Sequence, residues 1–106
     1  MSVVYKYPFV EGGNFVSEIE VPGHPLYVDF DPAGELCAWS LVEPDQKEPK
    51  FRVVVAGTGN PLPEGEWKHL NSFISKPFVF HAFVAAVAWV GESGPELVDF
   101  QGGEQS

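Results

Sequence analysis

A chain of 106 residues in which 44% are hydrophobic can close one globular core, which excludes both a two-domain protein and an intrinsically disordered one. A formal charge of −9 repels nucleic acid and anionic membrane and favours partners with basic surfaces. The charge is uneven: residues 1–45 set eight acids against Lys6 alone, whereas residues 46–76 carry a net +2.

Residues 3–9 are aromatic and β-branched and predict a first strand, which stops at Glu11-Gly12-Gly13-Asn14. Residues 15–21 and 26–31 then alternate with period two. Phe15, Ser17, Ile19 and Val21 oppose Val16, Glu18 and Glu20; Leu26, Val28 and Phe30 oppose Tyr27, Asp29 and Asp31. A turn at Pro22-Gly23-His24-Pro25 predicts a hairpin that pairs Val21 with Leu26, Ile19 with Val28 and Glu18 with Asp29. Its outer face would carry Glu18, Glu20, Asp29 and Asp31 beside Tyr27. Like charges placed opposite each other destabilise a sheet, so such a stripe asks for a partner.

Asp31-Pro32-Ala33-Gly34 fits a type I turn, with Asp first, Pro second and Gly last, and predicts delivery into an antiparallel strand over 35–42. That strand is apolar on both faces, as expected of one covered on both sides. Residues 43–50 read as a polar loop, 51–56 as the strongest strand of the chain, and 57–65 as a Gly/Pro-rich loop. Residues 67–75 fit either a helix, with Trp67, Leu70, Phe73 and Ile74 on one face, or a short strand. Residues 78–90 predict one long strand or two bent at Ala85-Ala86; 96–100 predict an edge strand and 101–106 a flexible C-terminal tail. The expected fold is all-β, a small antiparallel sandwich or partly open barrel of seven to eight short strands with at most one short helix. One β domain would occupy residues 1–100.

The single Cys37 excludes an internal disulfide, fits a reducing compartment and reads as a buried, inert thiol. The start Met1-Ser2-Val3-Val4-Tyr5-Lys6 lacks the layout of a signal peptide, and the longest apolar run, 78–90, is too short for a membrane-spanning helix. A soluble, intracellular protein is expected.

Tyr5-Lys6-Tyr7-Pro8, Cys37-Ala38-Trp39-Ser40-Leu41-Val42-Glu43-Pro44, Gly57-Thr58-Gly59-Asn60-Pro61 and Val79-Phe80-His81-Ala82-Phe83 occur in that order. Together, over residues 3–84, they resemble a family of small bacteriophage-encoded proteins without an established activity. That family shows a Trp-centred strand, a Gly-Thr-Gly-His-Pro loop and a closing His-x-Phe strand. Asn60 stands where the family usually shows histidine, and residues 85–106 run past its usual end. The resemblance implies a phage gene product working in the host bacterial cytoplasm.

The loop at Gly57, Thr58, Gly59 and Asn60 follows a strand, as phosphate loops do, but lacks the Lys-Ser/Thr pair and reads first as a turn. His24, His69 and His81 match no local ligand spacing, so no metal site and no cofactor are expected. Asp29-Phe30-Asp31 opens like a calcium loop, yet position twelve is Ser40 instead of a bidentate glutamate. No Ser-His-Asp or Cys-His spacing stands out, and no enzyme is expected. The favoured function is a phage accessory module that binds a basic surface on a host bacterial protein through Glu18, Glu20, Tyr27, Asp29 and Asp31, inhibiting or redirecting it, for example as a nucleic-acid mimic. The alternatives are a virion component that assembles through the edges of 78–90 or 96–100, and a small-molecule or nucleotide binder using Trp39, Gly57, Thr58, Gly59, Asn60 and His81. Homo-oligomer formation stays open.

Overall fold

The computed structural model describes residues 1–9 and 16–87. Seven strands run through them: β1 (Val3–Pro8), β2 (Val16–Val21), β3 (His24–Phe30), β4 (Leu36–Val42), β5 (Phe51–Gly57), β6 (Lys68–Ser75) and β7 (Phe78–Ala86). They form two antiparallel sheets, a three-stranded one in the order β1-β4-β3 and a four-stranded one in the order β2-β5-β7-β6. The sheets are not closed into a barrel, and there is no helix among the described residues. The all-β sandwich expected from the sequence is therefore present. The expected edge strand at 96–100 and the tail at 101–106 lie outside the described residues.

The core forms where the inner faces meet. Val28 and Ala38 of the smaller sheet pack against Val21, Val53, Val55, Phe73 and Ala82 of the larger one. Phe30 meets Phe73 edge-on at 5.7 Å across the layers. β5 is buried on both faces: Val53 and Val55 enter the core, while Val54 (0% exposed) and Ala56 point the other way. The loop after β5 folds back over this second face, where Trp67 stacks on the Arg52 guanidinium at 4.7 Å and its indole N–H donates to the Pro63 carbonyl at 2.7 Å.

The turn at residues 31–34 forms as expected and joins β3 to β4. The Gly34 N–H donates to the Asp31 carbonyl, and the Asp31 side chain accepts from the N–H groups of Ala33 and Glu35. The hairpin expected between residues 15–21 and 26–31 does not form. β2 pairs with β5 in the larger sheet and β3 with β4 in the smaller one, and the link between β2 and β3 crosses between layers. Gly23 makes the crossing at φ +73°, where an added Cβ would lie 2.2 Å from the Leu41 carbonyl oxygen. The observed pairing relieves the charge clash. A hairpin would set Glu18 against Asp29, whereas β5 brings Arg52 opposite Glu20 and into contact with Glu18. Leu26, expected inward, is instead the extra residue of a bulge in β3 and is 43% exposed.

The ambiguous 67–75 segment is a strand from Lys68. β7 runs as one strand to Ala86 and lies between β5 and β6. Both its backbone edges are paired, so residues 78–86 offer no free edge for virion assembly. The outer edges belong to β1 and β3 in one sheet and to β2 and β6 in the other. At the β3/β6 side the gap is bridged by Asn71, whose amide accepts from the Val28 N–H at 3.0 Å and donates to the Val28 carbonyl at 2.8 Å. At the β1/β2 side the described residues Tyr7, Pro8, Glu18, Ile19 and Glu20 line a groove of about 670 Å³.

Candidate functional site

The five residues expected to form one acidic surface separate onto two sheets. Glu18 and Glu20 lie on the outward face of β2, and the Glu18 carboxylate grips Arg52 at 2.6 and 3.3 Å. Tyr27 and Asp29 lie on the outward face of the other sheet, where the Tyr27 hydroxyl donates to Asp29 at 3.3 Å. Asp31 is not a surface residue. Its side chain is 2% exposed and ion-paired with Lys6 at 2.8 Å. The Lys6 ammonium, together with the N–H groups of Glu35 and Ala33, holds the Asp31 carboxyl below the usual carboxylate range. Glu35 and Cys37 bring further donor atoms close to it. Its oxygens are already committed to the turn and to Lys6, so this cluster reads as a turn anchor. Cys37 is fully buried, and burial pushes its thiol up.

What the acidic stripe loses, the outward face of the β1-β4-β3 sheet gains in apolar area. Cross-strand register sets Val4 against Leu41 on one side of β4's outward row and Tyr27 against Trp39 on the other. Val4 is 52% and Tyr27 47% exposed, Leu41 is also exposed, and the Tyr27 and Trp39 rings lie 6.4 Å apart. Lys6, opposite Trp39 on the same face, turns its ammonium away to Asp31.

The second group of expected residues comes together only in part. Gly57, Thr58, Gly59, Asn60 and His81 are neighbours, whereas Trp39 lies on the other sheet. Residues 57–60 close a turn: the N–H and the side-chain amide of Asn60 both donate to the Gly57 carbonyl at 3.1 Å, and Gly59 takes φ +93°. Thr58 reaches out of this turn. Its hydroxyl contacts the Val79 carbonyl at 3.2 Å and His81 Nε2 at 2.8 Å. His81 Nδ1 contacts Ser72 Oγ at 2.8 Å, and Ser72 Oγ contacts His69 Nε2 at 2.9 Å. The His69 ring packs edge-on against Phe83 at 5.3 Å.

Each hydroxyl has one proton, so this chain of contacts has two self-consistent orders. With Thr58 donating to Val79, His81 Nε2–H donates to Thr58, Ser72 to His81 Nδ1 and His69 Nε2–H to Ser72; with Thr58 donating to His81 Nε2, every later bond reverses. The sequence set His69 aside as a ligand and gave no sign of Ser72, because strict alternation puts residues three apart on opposite faces. A bulge at Leu70 resets the phase of β6, so Leu70 and Asn71 both face inward while His69 and Ser72 both face outward. No local pattern announces that bulge.

A family model described as a domain of unknown function, DUF7352, matches residues 1–90, a span that holds all seven strands. The chain belongs to the DUF7352 family. No curated protein and no solved structure matches it. Both the apolar face and the polar chain from Thr58 to His69 fall inside the family domain. No helix among the described residues is long and apolar enough to cross a membrane.

Proposed function

We propose that this domain is a protein-binding module whose docking surface is the outward face of the β1-β4-β3 sheet, and that its partner offers apolar side chains flanked by basic groups. The observation that carries this reading is the row of exposed Val4, Leu41 and Tyr27 around the half-buried Trp39 among the described residues. Tryptophan and tyrosine are the side chains that most often anchor protein interfaces, and each supplies a large apolar area at a small entropy cost. A net charge of −9, with Asp29 directly beside Tyr27, selects a basic partner and speeds encounter. The resemblance to phage-encoded proteins supports a host bacterial protein in that role, with inhibition or redirection as the consequence. The test compares captures from bacterial lysate by the wild type, Leu41→Glu, Tyr27→Ala and Glu20→Lys. A partner retained at low salt by the wild type and by Glu20→Lys, and lost from Leu41→Glu and Tyr27→Ala, is the expected result. Equal retention by Leu41→Glu would overturn the assignment of this face. So would a concentration-dependent dimer in sedimentation, because the face would then be covered by a second copy.

A further inference from the structure

We propose that His69 and His81 form a binding site for a divalent transition metal ion, of the zinc, nickel or copper class, on the outward face of the four-stranded sheet. His69 Nε2 and His81 Nδ1 both aim at one point, the Ser72 oxygen, from 2.9 and 2.8 Å. Two imidazole nitrogens converging on one point is the arrangement a borderline-soft cation needs, and imidazole selects zinc, nickel and copper over calcium and magnesium.

The surroundings prepare His81 for that role. In the tautomer with its hydrogen on Nε2, that N–H donates to Thr58, the Thr58 hydroxyl donates to the Val79 carbonyl, and Nδ1 presents its lone pair. An outer hydrogen bond of this kind, from the far ring nitrogen to an oxygen, is what orients most metal-bound histidines. The backbone adds a second fixed element. Ser72 sits directly opposite His81 in the β6–β7 register, and the Leu70 bulge brings His69 onto the same face one turn of the pleat away. A metal ion settling between the two nitrogens takes the place of the Ser72 proton. The Ser72 hydroxyl rotates and can remain as a neutral oxygen ligand. His69 is exposed, so its ring is free to carry its hydrogen on Nδ1 and present Nε2 to the ion. Water completes the coordination.

The experiment uses the full chain without a histidine tag. Zinc chloride and nickel chloride are titrated by calorimetry, with the histidine ring resonances followed by NMR. The expected result is one saturable equivalent that shifts the rings of His69 and His81, with affinity at least tenfold weaker in His69→Gln and in His81→Gln. His24 lies on the other sheet, so His24→Gln should bind as the wild type does. His69 is at the surface, so His69→Gln tests the site even if His81→Gln disturbs the strand. Absence of saturable binding below millimolar metal would overturn the proposal. Binding unchanged in His69→Gln, or lost in His24→Gln, would do the same.

Discussion

Asn71→Leu removes the amide that closes the sandwich at its β3/β6 side while keeping the number and branching of side-chain heavy atoms. In the wild type the Asn71 amide supplies β3 with the two hydrogen bonds that a further strand would supply, at 3.0 and 2.8 Å to the Val28 N–H and carbonyl. Each such bond contributes about 0.5–1.5 kcal/mol net, and a buried group left without a partner costs about 1–3 kcal/mol. The bridge is only partly buried, so water recovers some of the loss. The expected destabilisation is about 1–2 kcal/mol, which for a domain of this size lowers Tm by roughly 5–15 °C. Asn71→Asp keeps the acceptor for the Val28 N–H but turns a second oxygen toward the Val28 carbonyl, so it should lose at least as much. Thermal unfolding by circular dichroism and urea unfolding with unchanged m-value measure both variants. An Asn71→Leu protein within about 0.5 kcal/mol of wild type, the range of ordinary surface substitutions, would refute the edge-closing role.

Two glycines with left-handed backbone separate strain from collision. Gly34 (φ +86°) has open space around an added Cβ, so Gly34→Ala should cost only the strain of that conformation, about 1–2 kcal/mol, whereas Gly23→Ala adds a backbone collision with Leu41 and should cost clearly more in urea unfolding; equal losses would refute the tight crossing at Gly23. Asp31 titrates below its ordinary value of 3.8 in the folded chain, chiefly because it accepts from Lys6. As pH falls the unfolded chain therefore takes up the proton first. Stability from this carboxylate is complete above the unfolded value and is lost below about pH 4. Asp31→Asn should be less stable than wild type at pH 7 and show a shallower acid decline, and parallel stability–pH curves for the two proteins would contradict the pairing.

Much of the fold is legible in the chain itself. Alternation of β-branched and aromatic residues marks the strands, Asp31-Pro32-Ala33-Gly34 marks the β3–β4 hairpin, and the glycines and prolines of residues 57–65 mark a loop. These are local matters, decided by backbone preference and by hydrogen bonds between residues a few positions apart. The candidate surfaces are less legible. Alternation tells Glu18 and Glu20 which way to point but not which strand lies beside them; that strand is β5, which brings Arg52, 34 residues from Glu18, into contact. Asp31 reads as an exposed acid until Lys6 and the turn amides enclose it. His69 and Ser72 share a face only because β6 bulges at Leu70, and Asn71 finds its partners 43 residues away on the other sheet. The sequence by itself determined most of the strands, the turn at residues 31–34 and the all-β class, because each rests on neighbours along the chain. Which strands pair, which charges are neutralised and which side chains meet outside the core were decided by the tertiary structure. Those choices compare the energies of contacts between distant residues, and only the assembled sheets bring such residues within reach.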